Sequence, residues 1–102
     1  MHMALHVVVD RNAIAELCRR HHIRELALFG SVLRDDFRPD SDVDVLYEFE
    51  PGQTVGFRIF RIEEELSALL GGRAVDCVPK QHLNRWLKDR VLATAEVVYG
   101  AR

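Results

Sequence analysis

Asp42 and Asp44 stand two residues apart in Asp42-Val43-Asp44-Val45, within a segment that alternates polar and apolar side chains. On a β-strand this spacing puts both carboxylates on one face, with Cα atoms about 6.5–7 Å apart. Like charges so placed repel unless something cationic sits between them. A pair of divalent metals about 3.5–4 Å apart, as used in phosphoryl and nucleotidyl transfer, supplies that cation. Hard oxygen donors with no neighbouring His or Cys cluster favour Mg²⁺, or Mn²⁺, over zinc. Upstream, Gly30-Ser31 ends a short apolar run. A strand that ends in a helical turn leaves backbone N–H groups pointing outward, and glycine lets a phosphate come close to them. Ser31 adds a hydroxyl donor. By itself Gly-Ser after a strand is an ordinary turn, so the weight lies in the combination. Asp76 lies alone in the apolar stretch Ala74-Val75-Asp76-Cys77-Val78, where a charge is unusual without a partner. If that stretch pairs beside the strand of Asp42 and Asp44, a three-carboxylate site results.

The elements that must hold these residues follow from periodicity. Asp10 can cap a helix carrying Ile14, Leu17 and Cys18 at helical spacing, with Arg19, Arg20, His21 and His22 near its end. Residues 25–29 read as a buried strand stopped by Gly30. Residues 31–36 are expected to form a short helix, followed by the turn-rich loop Arg38-Pro39-Asp40-Ser41. Residues 42–49 form the second strand, closed by Pro51-Gly52. A helix over 55–70 carries Ile59, Ile62, Leu66 and Leu69 on one face and stops at Gly71-Gly72. A third strand spans 74–78. A last helix over 81–98 carries Leu83, Trp86, Leu87 and Val91, and Trp86 with Leu83 and Leu87 reads as core rather than as a base-stacking platform. The order is α-β-α-β-α-β-α: one small α/β domain with a mixed sheet, covering residues 1–102.

Composition agrees and excludes alternatives. The chain has 102 residues, 48% hydrophobic, with a formal net charge of -2. That is too apolar for disorder, and no segment approaches the roughly 20 apolar residues of a membrane span. The start has no basic, then apolar, secretion signal, and two cysteines, Cys18 and Cys77, make no disulfide framework. A soluble cytoplasmic domain is expected, with the cysteines serving as small buried apolar groups. Seven acids against one base crowd into residues 35–50. Of these, Asp35, Asp36 and Asp40 read as loop solvation. His2, His6, His21, His22 and His82 show no metal spacing and read as surface or helix-end residues.

Phe29-Gly30-Ser31, ten residues, then Asp42-Val43-Asp44, with Asp76 downstream, resembles the signature of the polymerase-β-like nucleotidyltransferase superfamily. The wording around it, Leu28 to Phe37 and Pro39 to Val45, is similar to the minimal nucleotidyltransferase branch, the MntA-type antitoxins. The resemblance implies the fold of that superfamily and a division of labour. Gly30 and Ser31 would hold the terminal phosphates of ATP. Asp42 and Asp44 would bind two Mg²⁺ ions, and Asp76 would help bind the catalytic metal and deprotonate the acceptor. Arg34 and Arg38 flank the site, where a guanidinium fork suits phosphate oxygens or a partner protein. The implied activity is protein adenylylation: AMP moves from ATP to a tyrosine of a cognate HEPN-domain ribonuclease toxin and silences it, as in a type VII-like toxin–antitoxin pair. Two alternatives stay open at this point. The chain could silence the toxin by occluding it, or it could transfer nucleotides to a small molecule or an RNA end. Without a substrate domain or a basic aromatic surface, direct binding of nucleic acid is not expected. A homo-oligomer and a hetero-oligomeric complex with the toxin, offered by the apolar excess at Leu92, Val97, Val98 and Tyr99, are both compatible with so small a core.

Overall fold

A computed structural model of the chain describes residues 6–35 and 37–100. The expectations for His2 and Asp36 lie outside the described residues. Asp10 caps the first helix, α1 (Arg11–Arg20), its carboxylate accepting the Ala13 N–H at 3.1 Å. That bond satisfies one of the donors a helix start leaves open. Asp10→Ala is expected to lower stability by about 1 kcal/mol, read as a shift of the urea midpoint without a change of slope. α1 turns its apolar stripe of Ile14, Leu17 and Cys18 fully inward.

Next comes β1 (Ile23–Phe29), then a single 3-10 turn over Gly30–Leu33 and β2 (Val43–Phe49). The second helix, α2 (Arg58–Leu69), leads to β3 (Val75–Pro79), and α3 (Arg85–Thr94) leads to β4 (Glu96–Tyr99). The sheet order is β3-β2-β1-β4. β1 runs antiparallel to β2 and β4, while β2 and β3 are parallel. A parallel pair needs a crossover connection, and α2 is that connection. The fold is therefore a mixed α/β arrangement of four strands and three α-helices.

Strand alternation divides the sheet into two faces with different tasks. One face (Ile23, Leu26, Leu28, Val43 and Val45) packs with Ile14 and Leu17 of α1 and Ile62 and Leu66 of α2 in the main core. The other face carries Ala27 and Leu46, each 2% exposed, and the carboxylates of Asp44 and Asp76. Near its far end the Lys80 ammonium pairs with Glu25 at 2.8 Å.

Several expectations change in detail. The short helix expected over 31–36 is one 3-10 turn ending at Leu33, and the helix expected from 55 starts at Arg58. The last helix stops at Thr94, because Ala95 is extended (φ -60, ψ 143). Residues 96–99 then form a strand on the otherwise open edge of β1, where Val97, Val98 and Tyr99 suit a pleated surface. Val98 is thus core rather than an interface residue. Trp86 is not core either: it is 83% exposed, Leu87 is 48% exposed, and α3 has no buried residue. With the helix starting at Arg85, Leu83 falls outside it and the expected stripe is broken. His21, expected at the surface, is buried, its Nε2 3.0 Å from Glu65 Oε1, which also accepts from Arg20 at 3.2 Å.

Cys18 is fully buried and Cys77 half-buried. Burial pushes the Cys18 thiol up to about 12 against the pull of Arg19. It pushes Cys77 to about 12 as well, with Glu63 and Asp76 adding to the rise. Only thiolate reacts with disulfide reagents. At mildly alkaline pH the native protein is therefore expected to leave both thiols unlabelled, and denaturant to release both.

Candidate active site

β1 ends at Phe29 because Gly30 turns the chain at φ +77, a left-handed conformation that glycine adopts without penalty. The 3-10 turn follows at once, closed by the Arg34 N–H donating to the Ser31 carbonyl at 2.9 Å. The first N–H groups of such a turn have no partner inside it. Gly30 is also required by its neighbour, since a Cβ added there would run into the Asp44 carboxylate oxygen. The phosphate-type turn and the central carboxylate are therefore in direct contact.

Asp44 lies opposite Phe29 on one side and Asp76 on the other. This is the pairing on which the three-carboxylate expectation depended. The parallel register places Asp76 on the same face as Asp44, and Asp42 shares that face by alternation. Asp76 is exposed on an edge strand rather than enclosed in an apolar one. Burial raises the Asp44 pKa above the ordinary carboxylate value; Asp76 and then Asp42 raise it further, while Arg34 opposes them. The two neighbouring carboxylates thus crowd negative charge onto Asp44, a charge that a bound cation would offset.

The donors are all hard carboxylate oxygens, which fits a Mg²⁺-type ion. Among the described residues no three His, Cys, Asp or Glu side chains stand grouped as a ready-made metal cage. Asp42 and Asp76 are exposed and Asp44 is half-buried. Exposed carboxylates change rotamer within picoseconds to nanoseconds, so Asp42 and Asp76 are free to adjust around the half-buried Asp44.

The loop before Asp42 is held by residues the sequence pattern did not single out. Arg73 Nη1 donates to the carbonyls of Arg38 at 3.2 Å and Pro39 at 2.9 Å, and its guanidinium lies 4.8 Å from the Phe37 ring centre. Ser41 Oγ accepts from the Arg38 N–H at 2.9 Å. The Val43 N–H donates to the Ala74 carbonyl at 2.8 Å, tying the start of β2 to β3. On the outer edge of β3, Glu63 accepts the Cys77 N–H at 3.0 Å. Arg38 contributes its backbone to this loop, and its side chain is exposed.

A groove of about 550 Å³ opens beside Gly30 and Arg34, with α3 as its other wall. A second cavity of about 640 Å³ lies at His6, Asp10, Pro39 and Arg73, and neither it nor the groove is lined by any of the three aspartates. Of these two, the groove is the one that adjoins the turn that suits phosphate. No helix among the described residues is long and apolar enough to cross a membrane.

Comparison with known proteins bears on the family and the fold. The sequence profile of the nucleotidyltransferase domain matches residues 11–97. The chain is 43% identical over 84 residues to protein adenylyltransferase MntA of Thermococcus cleftensis, spanning 82% of this chain and 81% of that one. It also matches a solved structure described as a minimal nucleotidyltransferase. There the TM-score is 0.68 and the identity 41%, over 83% of this chain and 85% of the other. The fold alone is shared with a chain from the complex of a tri-AMPylated Shewanella oneidensis HEPN toxin and an MNT antitoxin. That match has a TM-score of 0.57 and 20% identity, over 89% of this chain and 70% of the other.

Proposed function

This chain belongs to the nucleotidyltransferase domain family, and from that premise we propose that it silences a HEPN-domain toxin by moving AMP from ATP onto a tyrosine of that toxin. The observation that carries the reading is the contact between the Gly30 turn and Asp44, with Asp76 in register beside it. The name of the Thermococcus relative and the AMPylated toxin in the Shewanella complex support the same reaction and the same class of partner. The place of action in this reading is the cytoplasm, where ATP and the toxin meet.

Each residue then has a task. Backbone N–H groups at Gly30 and Ser31, with the Ser31 hydroxyl, hold the terminal phosphates of ATP. Arg34 adds a planar donor fork to the same phosphates. Asp42, Asp44 and Asp76 would hold two Mg²⁺ ions, or Mn²⁺, whose chemistry is to polarise the α-phosphate and offset the charge of the departing pyrophosphate. The tyrosine hydroxyl oxygen attacks the α-phosphorus, and the bond from that phosphorus to the bridging oxygen of the β-phosphate breaks. Pyrophosphate leaves, and the hydroxyl proton passes to Asp76. Positioning and electrostatics carry most of such a reaction, so a core of this size suffices.

The test uses ATP labelled at either end. Label at the α-phosphate is expected to enter the toxin, and label at the γ-phosphate is not. Transfer of the γ-label alone would make the chain a kinase and contradict the reading.

A further inference from the structure

The groove beside Gly30 has a second wall to which the reaction above gives no task. α3 lines it with Leu87, Arg90, Val91 and Thr94, the i, i+3, i+4 and i+7 positions of one helical face. Arg90 is the cation of that face. It is exposed, and among the described residues no carboxylate is paired with it. Arg34 lies on the opposite wall, next to Gly30.

Resting on the nucleotide reading, the geometry points to Arg90 as a phosphate-binding residue that, with Arg34 across the groove, clamps the β- and γ-phosphates of ATP. Three observations support it. The groove begins at Gly30, where the terminal phosphates lie in that reading. A guanidinium offers five donors and no acceptor in a planar fork that matches phosphate oxygens. The substrate is a polyanion entering beside three carboxylates, so a cation outside the metal-binding set lowers the electrostatic cost of entry. The remaining lining side chains (Phe29, Leu33, Leu87 and Val91) are apolar, so Arg90, Arg34 and Thr94 are its polar ones. Because α3 has no buried residue, replacing Arg90 is expected to leave the fold intact.

The experiment compares Arg90→Ala and Arg90→Lys with the unaltered chain. Calorimetric titration in Mg²⁺ buffer uses two probes, AMP and the non-hydrolysable β,γ-imido analogue of ATP, and the melting temperature is recorded in parallel. Arg90→Ala is expected to weaken the analogue about tenfold, the size of one lost charge-assisted contact, and to leave AMP unchanged. Arg90→Lys is expected to recover part of the loss, because it keeps the charge without the fork. Equal weakening of both probes would place Arg90 on the nucleoside and overturn the proposal, and so would unchanged binding of the analogue. If the unaltered chain bound neither probe, the nucleotide reading itself would fall, a result distinct from either of these.

Discussion

Asp44→Asn is expected to cut AMP transfer by at least about a hundredfold while the protein stays folded. Loss of a group that merely orients a metal ligand typically costs 10–100-fold, so loss of the ligand's own charge belongs at or beyond the upper end of that range. The stability side has the opposite sign from an ordinary active-site lesion. Burial, Asp76 and Asp42 raise the Asp44 pKa in the folded protein. Folding therefore favours the protonated form, and stability is lost as pH rises from the ordinary carboxylate value of 3.8 through the raised one. At neutral pH that penalty is complete, and asparagine does not carry it. In Mg²⁺-free buffer Asp44→Asn should thus melt at or above the temperature of the unaltered chain, with the difference vanishing in acid below the ordinary value. Calorimetry across this pH range checks the direction. A variant that is both unfolded and inactive would show that Asp44 serves the fold rather than the reaction.

Gly30→Ala is the second large effect, and it should damage both stability and transfer. The left-handed backbone at φ +77 costs a residue with a Cβ about 1–2 kcal/mol. The added Cβ also runs into the Asp44 carboxylate, so either the turn or the carboxylate must move. A displacement of this kind at the reacting centre is expected to cost about a hundredfold in rate. Gly52→Ala is the control, because Gly52 has a similar φ of +86 but nothing within 4 Å of its added Cβ. It should show the backbone penalty in the denaturation midpoint and full AMP transfer. If Gly30→Ala transferred AMP as fast as Gly52→Ala, the contact between turn and carboxylate would have no catalytic meaning.

The parts of the site written in local pattern are legible in the amino-acid sequence. Alternation puts Asp42 and Asp44 on one face, and the isolated charge at Asp76 falls in a stretch that does pair with that strand. What is not legible there depends on contacts between segments distant in sequence. Arg73 holds the loop before Asp42 from more than thirty residues away, and no periodicity announces such a bond. His21 is buried because α2 brings Glu65 to it. Leu83, Trp86, Leu87 and Val91 look like a buried stripe, yet burial requires an opposing element and a helix that includes all four. Here the helix begins too late, and its 87/90/91/94 face borders a groove instead. Residues 96–99 are too few for a clear period of either kind, and the open edge of β1 decides their conformation. A signal for the second wall does exist in the spacing of Leu87, Arg90, Val91 and Thr94, masked by the aromatic prominence of Trp86.

The most direct test of the central claim is the intact mass of the cognate HEPN toxin after incubation with this chain, ATP and Mg²⁺. The predicted result is a toxin heavier by one or more whole AMP residues, mapped to tyrosine, with no change when Asp42→Asn or Asp44→Asn replaces the unaltered chain. An unchanged toxin mass, with the toxin nonetheless silenced by the unaltered chain, would contradict adenylylation and leave occlusion as the mechanism.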